Sequence, residues 1–163
     1  MDAKAAAYFA GIIDGEGTIC IMKHRPKLAS GEKSVGYLAY LKVCNTDYRL
    51  VAWCRETTGV GCIYSEKRKK PNCRQVYTWH ISSARFYALL KEVYPYLVIK
   101  KEQADLIFLF AETYRMKWRH AQGTPAPILA TRERCFEQMK HLHRYVEHGP
   151  PIRRKDLQPE LVF

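Results

Sequence analysis

"AAAYFAGIIDGEGTICI", residues 5–21, ends an apolar helical stretch in two acids, Asp14 and Glu16, set among glycines. A helix C-terminus carries the negative end of the macrodipole, so carboxylates there must face water or meet something positive. On a helical wheel Ala3, Ala6, Ala7, Ala10, Gly11 and Asp14 follow the spacing i, i+3, i+4, i+7, i+8, i+11 and form one stripe of small residues. Tyr8, Phe9, Ile12 and Ile13 form the opposite stripe, the expected core face. No charge interrupts the small stripe between Lys4 and Asp14, as it would on a solvated face, so close helix–helix packing is expected there. The chain holds one such helix. If its partner is a second copy, a two-fold axis runs along Ala6, Ala7, Ala10, Gly11 and Asp14. Acids held beside their symmetry mates repel unless a cation intervenes. Oxygen ligands without a Cys or His pair at ligand spacing point to a hard ion such as Mg²⁺.

Outward from this stretch the chain alternates helices and hairpins. Residues 3–14 read as a helix. "GTICIMKHRP" and "YLAYLKVCN" read as two strands of a hairpin, with Ile19 and Ile21 alternating against Thr18, Cys20 and Met22. "DYRLVAWCRETTG" has helical spacing and stops at Gly59. "GCIYSEKRKK" and "RQVYTWHIS" form a second hairpin around Pro71-Asn72, followed by helices in "ARFYALLKEVYPYL", "KEQADLIFLFAETYRMKW" and "ATRERCFEQMKHLHRY". The expected class is α+β, with an antiparallel sheet covered by helices on one face and wet or ligand-bearing on the other. Residues 1–148 are expected to form one domain and 149–163 an extended, proline- and charge-rich tail.

The 163 residues carry 27 Lys+Arg against 16 Asp+Glu, a net charge of +11, which points to a polyanionic partner. The charge clusters: Lys67, Arg68, Lys69, Lys70 and Arg74 lie close together, which favours nucleic acid. No apolar run is long enough to span a bilayer, so no membrane is expected. The six cysteines include no C-x-x-C pair, and no secretory signal opens the sequence; reduced thiols in an intracellular protein are expected.

"FAGIIDGEG", Phe9–Gly17, resembles the LAGLIDADG motif of homing endonucleases: Ala10-Gly11, then Asp14-Gly15, an acid at 16 and Gly17, where a helix gives way to a strand. "YPYLVIKKEQADLI", Tyr94–Ile107, is similar to the second recognisable segment of the single-motif, homodimeric branch, and "LKVCNTD", Leu41–Asp47, to the end of its second strand. The resemblance covers roughly residues 5–110. It implies an αββαββα fold whose sheet forms a saddle on double-stranded DNA, here with extra C-terminal helices. It also implies divalent-metal-dependent cleavage of both strands across the minor groove of a long pseudo-palindromic target. Carried over by position, Glu16 is the metal-binding acid, with the Gly15 carbonyl as a further ligand. Asn45 helps to order the attacking water, Lys100 contributes to that network or to phosphate charge, and Arg49 takes a nearby basic role. Asp14 supports the helix ends. An intron-encoded enzyme of an organelle (chloroplast or mitochondrion) or of a prokaryotic cytoplasm is implied. An RNA-binding intron maturase and a non-catalytic DNA-binding protein on the same fold are the alternatives, and retained acids at 14 and 16 argue against loss of cleavage.

A β-ribbon can enter the major groove and present side chains to base edges. Alternation along the strands puts Thr18, Cys20, Met22 and His24 on the open face, with Tyr40, Lys42, Tyr64, Glu66, Arg68, Arg74, Thr78 and His80. Lys23, Arg25, Lys27, Lys69 and Lys70, at or near hairpin tips, are expected to meet phosphates.

Overall fold

Asp2 starts the first helix by accepting the Ala5 N–H at 2.8 Å, an N-cap that satisfies one of the four orphan donors. The computed structural model describes residues 1–25, 35–66, 73–115 and 124–144. Lys27, Arg68, Lys69, Lys70 and the tail 149–163 lie outside the described residues.

Helix α1 (Ala3–Glu16) runs directly into β1 (Gly17–His24), so both acids of the opening stretch belong to its last turn. The junction demands glycine. The Gly17 N–H turns back to the carbonyls of Ile12 and Ile13, and a Cβ at 17 would lie 2.6 Å from the Ile13 oxygen. β2 (Gly36–Asn45), α2 (Tyr48–Thr58), β3 (Cys62–Glu66), β4 (Val76–Ser82), α3 (Ser83–Val93), a 3₁₀ turn (Tyr94–Tyr96), α4 (Lys101–Arg115) and α5 (Ala126–Arg144) follow. The antiparallel sheet has the order β1-β2-β4-β3. This is the expected α+β succession.

Alternation decides which face is covered. Ile19, Ile21, Tyr37, Ala39, Leu41, Val43, Trp79 and Ile81 are buried beneath the helices, while their strand neighbours form the other face. Phe9 of α1 is fully buried and meets Trp79 edge-on, with ring centroids 5.5 Å apart. The Trp79 indole N–H, which could not be left unpaired in a core, donates to the Val60 carbonyl at 3.0 Å.

α5 packs on α4 and on the edge strand β1. Cys135 and Met139 are buried in that contact. Buried Arg132 lies 4.3 Å over the Tyr114 ring and donates to the Thr113 hydroxyl at 2.9 Å, which fixes α5 to α4. His143 Nε2 donates to the Ile19 carbonyl at 3.0 Å. Among the described residues no helix is long and apolar enough to cross a membrane.

Candidate active site and nucleic-acid interface

The two acids that end α1 have opposite surroundings. Asp14 turns toward the loop before α4: its carboxylate accepts the Val98 N–H at 2.8 Å and the Lys100 N–H at 3.0 Å. That places negative charge at the positive end of α4, where the dipole favours it. Lys100 reaches the other way. Its Nζ donates to the Ile13 carbonyl at 2.7 Å and the Asp14 carbonyl at 2.6 Å, both at the negative end of α1. Sequence position alone puts Lys100 at a helix N-terminus, a poor place for a cation. The side chain instead extends to a helix C-terminus, a favourable one. Burial pushes the Lys100 ammonium below its ordinary pKa, and the charges of Asp14 and Glu16 oppose that shift. An ammonium has three donors. Two are used here, which leaves one for a further acceptor.

Glu16 is exposed, and among the described residues no hydrogen bond holds its carboxylate. Gly15 beside it is exposed as well. No group of three or more His, Cys, Asp or Glu that could hold a metal is assembled among the described residues. One chain therefore brings a single free carboxylate and nearby main-chain oxygen, a hard donor set that fits Mg²⁺ only if other oxygens join it.

The small stripe of α1 is divided. Ala6 and Ala10 are 4% and 0% exposed, buried in this chain's own core together with Phe9 and Ile13, so they are not on a free surface. Alanine serves a tight intrachain contact as well as an intermolecular one, and α1 here packs on α3 and β2. Tyr8, expected in the core, is 58% exposed and meets the half-buried Trp53 edge-on at 4.8 Å. The exposed residues of α1 are Ala3, Lys4, Ala7, Tyr8, Gly11, Gly15 and Glu16, with Asp14 half-buried at their margin. Beside the Asp14 clamp, Val98 and Ile99 are 82% and 65% exposed.

Register places Asn45 at the same end of the sheet as Glu16, because Gly17 pairs with Val43 and β2 continues two residues further. The Asn45 side-chain oxygen accepts the Asp47 N–H at 2.8 Å, so this end of the side chain shapes the turn into α2. Its amide N–H₂ group has no part in that bond. Arg49 is forked onto Asp47, with Nε 3.0 Å and 3.1 Å from the two carboxylate oxygens, and its side chain is 89% exposed. Arg49 holds the Asp47 carboxyl down at about 2.

The open face runs in rows across the sheet: Met22 beside Leu38; Cys20, Tyr40 and Ser82; Thr18, Lys42, His80 and Cys62; Cys44, Thr78 and Tyr64. Thr18, Met22, His24, Tyr40, Lys42, Tyr64 and His80 all keep surface on this side, and Arg25 and Arg74 are exposed beyond the strand ends. Thr78 departs from the expectation. It is 4% exposed, flanked by Cys44 and Tyr64, with its hydroxyl 3.3 Å from the Cys44 sulfur. The backbone of Glu66 pairs with Val76 in the last row. Leu38, Cys44 and Cys62 also belong to the face; extending the alternation outward from Lys42 along β2 would have included the first two. His80 is held below its ordinary pKa by burial and by Lys42, so its ring is neutral at neutral pH and offers both a donor and an acceptor.

The fold occurs in solved structures. One is the homing endonuclease I-CvuI in complex with the I-CreI target in the presence of Mg, its DNA not cleaved; it superposes with a TM-score of 0.68 at 16% identity, over 88% of this chain and 84% of that one. The archaeal intron-encoded homing endonuclease I-Vdi141I, complexed with DNA, gives 0.66 at 15% identity over 90% and 88%. The chain has the LAGLIDADG homing-endonuclease fold. Within that fold, residues 9–17, the stretch that resembles the LAGLIDADG motif, form the end of α1 and the turn into β1. The LAGLIDADG meganuclease I-CpaMI, bound to uncleaved DNA, has a TM-score of 0.59 at 14% identity; the match covers 90% of this chain but 54% of that one. No family model matches the sequence. No curated protein matches it either.

Proposed function

We propose that the chain is a site-specific double-strand DNA endonuclease that acts as a homodimer with Mg²⁺. The observation that carries the reading is the exposed Glu16 carboxylate at the end of a helix whose adjoining face, Ala7, Gly11 and Gly15, is also exposed. A second copy packed on that face, with Val98 and Ile99 at its flank, brings two Glu16 carboxylates together. Those acids, the Gly15 carbonyls and phosphate oxygens of the DNA supply the oxygen ligands that one chain lacks. When bound, Mg²⁺ lowers the pKa of water and neutralises charge at the phosphorus. The chain's own residues do the rest. Glu16 holds and orients, and the unused donors of Lys100 and Asn45 face the water and the phosphate. Asp14 fixes the loop that delivers Lys100, and Arg49 adds positive charge on the rim. The open sheet face and the net charge of +11 suit a duplex lying across the strands. The DNA complexes of I-CvuI and I-Vdi141I support the choice of duplex DNA as substrate.

The test is a cleavage selection on a randomised duplex library with Mg²⁺, paired with sedimentation. Gly11→Leu is the decisive variant, because a Cβ at 11 meets nothing within 4 Å in this chain and the monomer can accept a larger side chain. The reading expects a folded monomer that no longer cleaves. A Gly11→Leu protein that stays dimeric and fully active removes the α1 face from the interface. A wild type that binds duplex without cutting it is a regulator, and one that binds only intron RNA is a maturase.

A further inference from the structure

The open face is chemically unlike a surface that grips phosphates. Lys42 is the one Lys or Arg in its described rows, with Arg25 and Arg74 beyond the strand ends, and the rows otherwise present Cys20, Met22, Leu38, Tyr40, Cys62 and Tyr64. No Asn, Gln or Arg occupies an open-face row of the four strands. Those are the side chains that read adenine by a bidentate amide or guanine by a guanidinium fork. The base edges of the major groove present one apolar group, the thymine C5-methyl, and it is read by apolar contact. The two bulkiest exposed apolar side chains of the face stand on its opposite edge strands. Met22 on β1 is 44% exposed and lies beside Leu38; Tyr64 on β3 is 44% exposed in the row of Cys44 and Thr78. The strand order β1-β2-β4-β3 sets them at the two sides of the sheet, so they meet different base pairs of a duplex crossing it.

We infer that Met22 and Tyr64 determine target sequence by contacting thymine C5-methyl groups, and that each half-site carries a required thymine under each of them. This rests on the reading that the chain binds duplex DNA through its open face, and it adds what that face recognises.

The experiment first selects bound duplexes from a randomised library with the full chain in Ca²⁺ buffer, then replaces each thymine of the selected half-site by deoxyuridine. The replacement removes the methyl and leaves the hydrogen-bonding edge. Loss of one buried methyl-sized contact corresponds to about 0.8 kcal/mol, about fourfold in Kd. The expected result is a loss of that size at two positions per half-site. Met22→Ala should abolish the uracil effect at one of them and Met22→Leu should retain it; Tyr64→Ala should abolish it at the other. Both side chains are exposed, so the variants are expected to keep the wild-type circular dichroism spectrum. Equal affinity for thymine and uracil at every position overturns the inference and leaves the nuclease reading standing. A Met22→Ala protein that loses the same affinity on both bases also overturns it. Binding with no sequence enrichment overturns both the inference and the reading it rests on.

Discussion

Two polar clusters brace the edge strand β1, one at each end, and they are built from different partners. At its start, Asp14 and Lys100 bond to main chain: the carboxylate takes two N–H groups and the ammonium takes two carbonyls. Toward its end, Lys23 and Tyr37 converge on the Glu133 carboxylate of α5, side chain to side chain, with Lys23 Nζ at 2.6 Å and 2.8 Å from the two oxygens. The first cluster joins two helix ends of opposite polarity, so backbone geometry fixes where the last turn of α1 lies and Glu16 with it. The second docks α5 on the sheet and touches nothing in the candidate active site. One cluster sets the geometry of the candidate active site; the other sets how firmly an outer helix is held.

Substitutions should separate the two. Asp14→Ala is expected to have the largest effect on stability, about 2 kcal/mol by urea unfolding, because two backbone donors lose a charged acceptor. Lys100→Met keeps the packing stem but removes the positive end and should cost about 1 kcal/mol. If Lys100 faces the phosphate as proposed, the change should also reduce cleavage at least about tenfold. Unchanged cleavage would mean that Lys100 only caps α1. Glu133→Gln should lower the melting temperature by less than either change and leave cleavage at the wild-type rate; a cleavage defect would erase the contrast between the clusters. Tyr40, midway along the open face, is held up at about 12 against an ordinary 10.0, chiefly by burial. The folded state therefore keeps a proton that the unfolded chain releases. Its contribution is complete below pH 10 and is lost as pH rises toward about 12, and Tyr40→Phe should remove that part of the alkaline unfolding curve. Arg49→Ala should leave the melting temperature unchanged, since its only described partner is exposed Asp47 two residues away.

Much of the fold was legible because the periods are clean. Ile19 and Ile21 alternate against Thr18, Cys20 and Met22 in the sequence, and burial follows that alternation along β1. Gly17 was legible as part of a motif, though not as the residue whose missing side chain lets a helix turn into a strand without a loop. The small stripe of α1 was legible as unusual, but its division was not: Ala6 and Ala7 look alike in sequence, and only the position of the sheet decides which is covered. Depth was hidden for the same reason. Alternation assigns Thr78 to the open face, while its burial depends on Cys44 and Tyr64 from two other strands. The destination of Lys100 lay furthest out of reach, because its acceptors are 86 and 87 residues earlier.

The central claim is that Asp14 builds the site and Glu16 acts in it. Glu16→Gln tests this most directly when cleavage, duplex affinity in metal-free buffer and melting temperature are measured on one preparation. The account predicts an unchanged or higher melting temperature, affinity at least equal to wild type, and cleavage lower by about three orders of magnitude or more, since an exposed carboxylate that braces nothing has been replaced by an amide unable to attract Mg²⁺. A Glu16→Gln homodimer that cleaves at the wild-type rate would contradict it and return both acids to the role of a helix end.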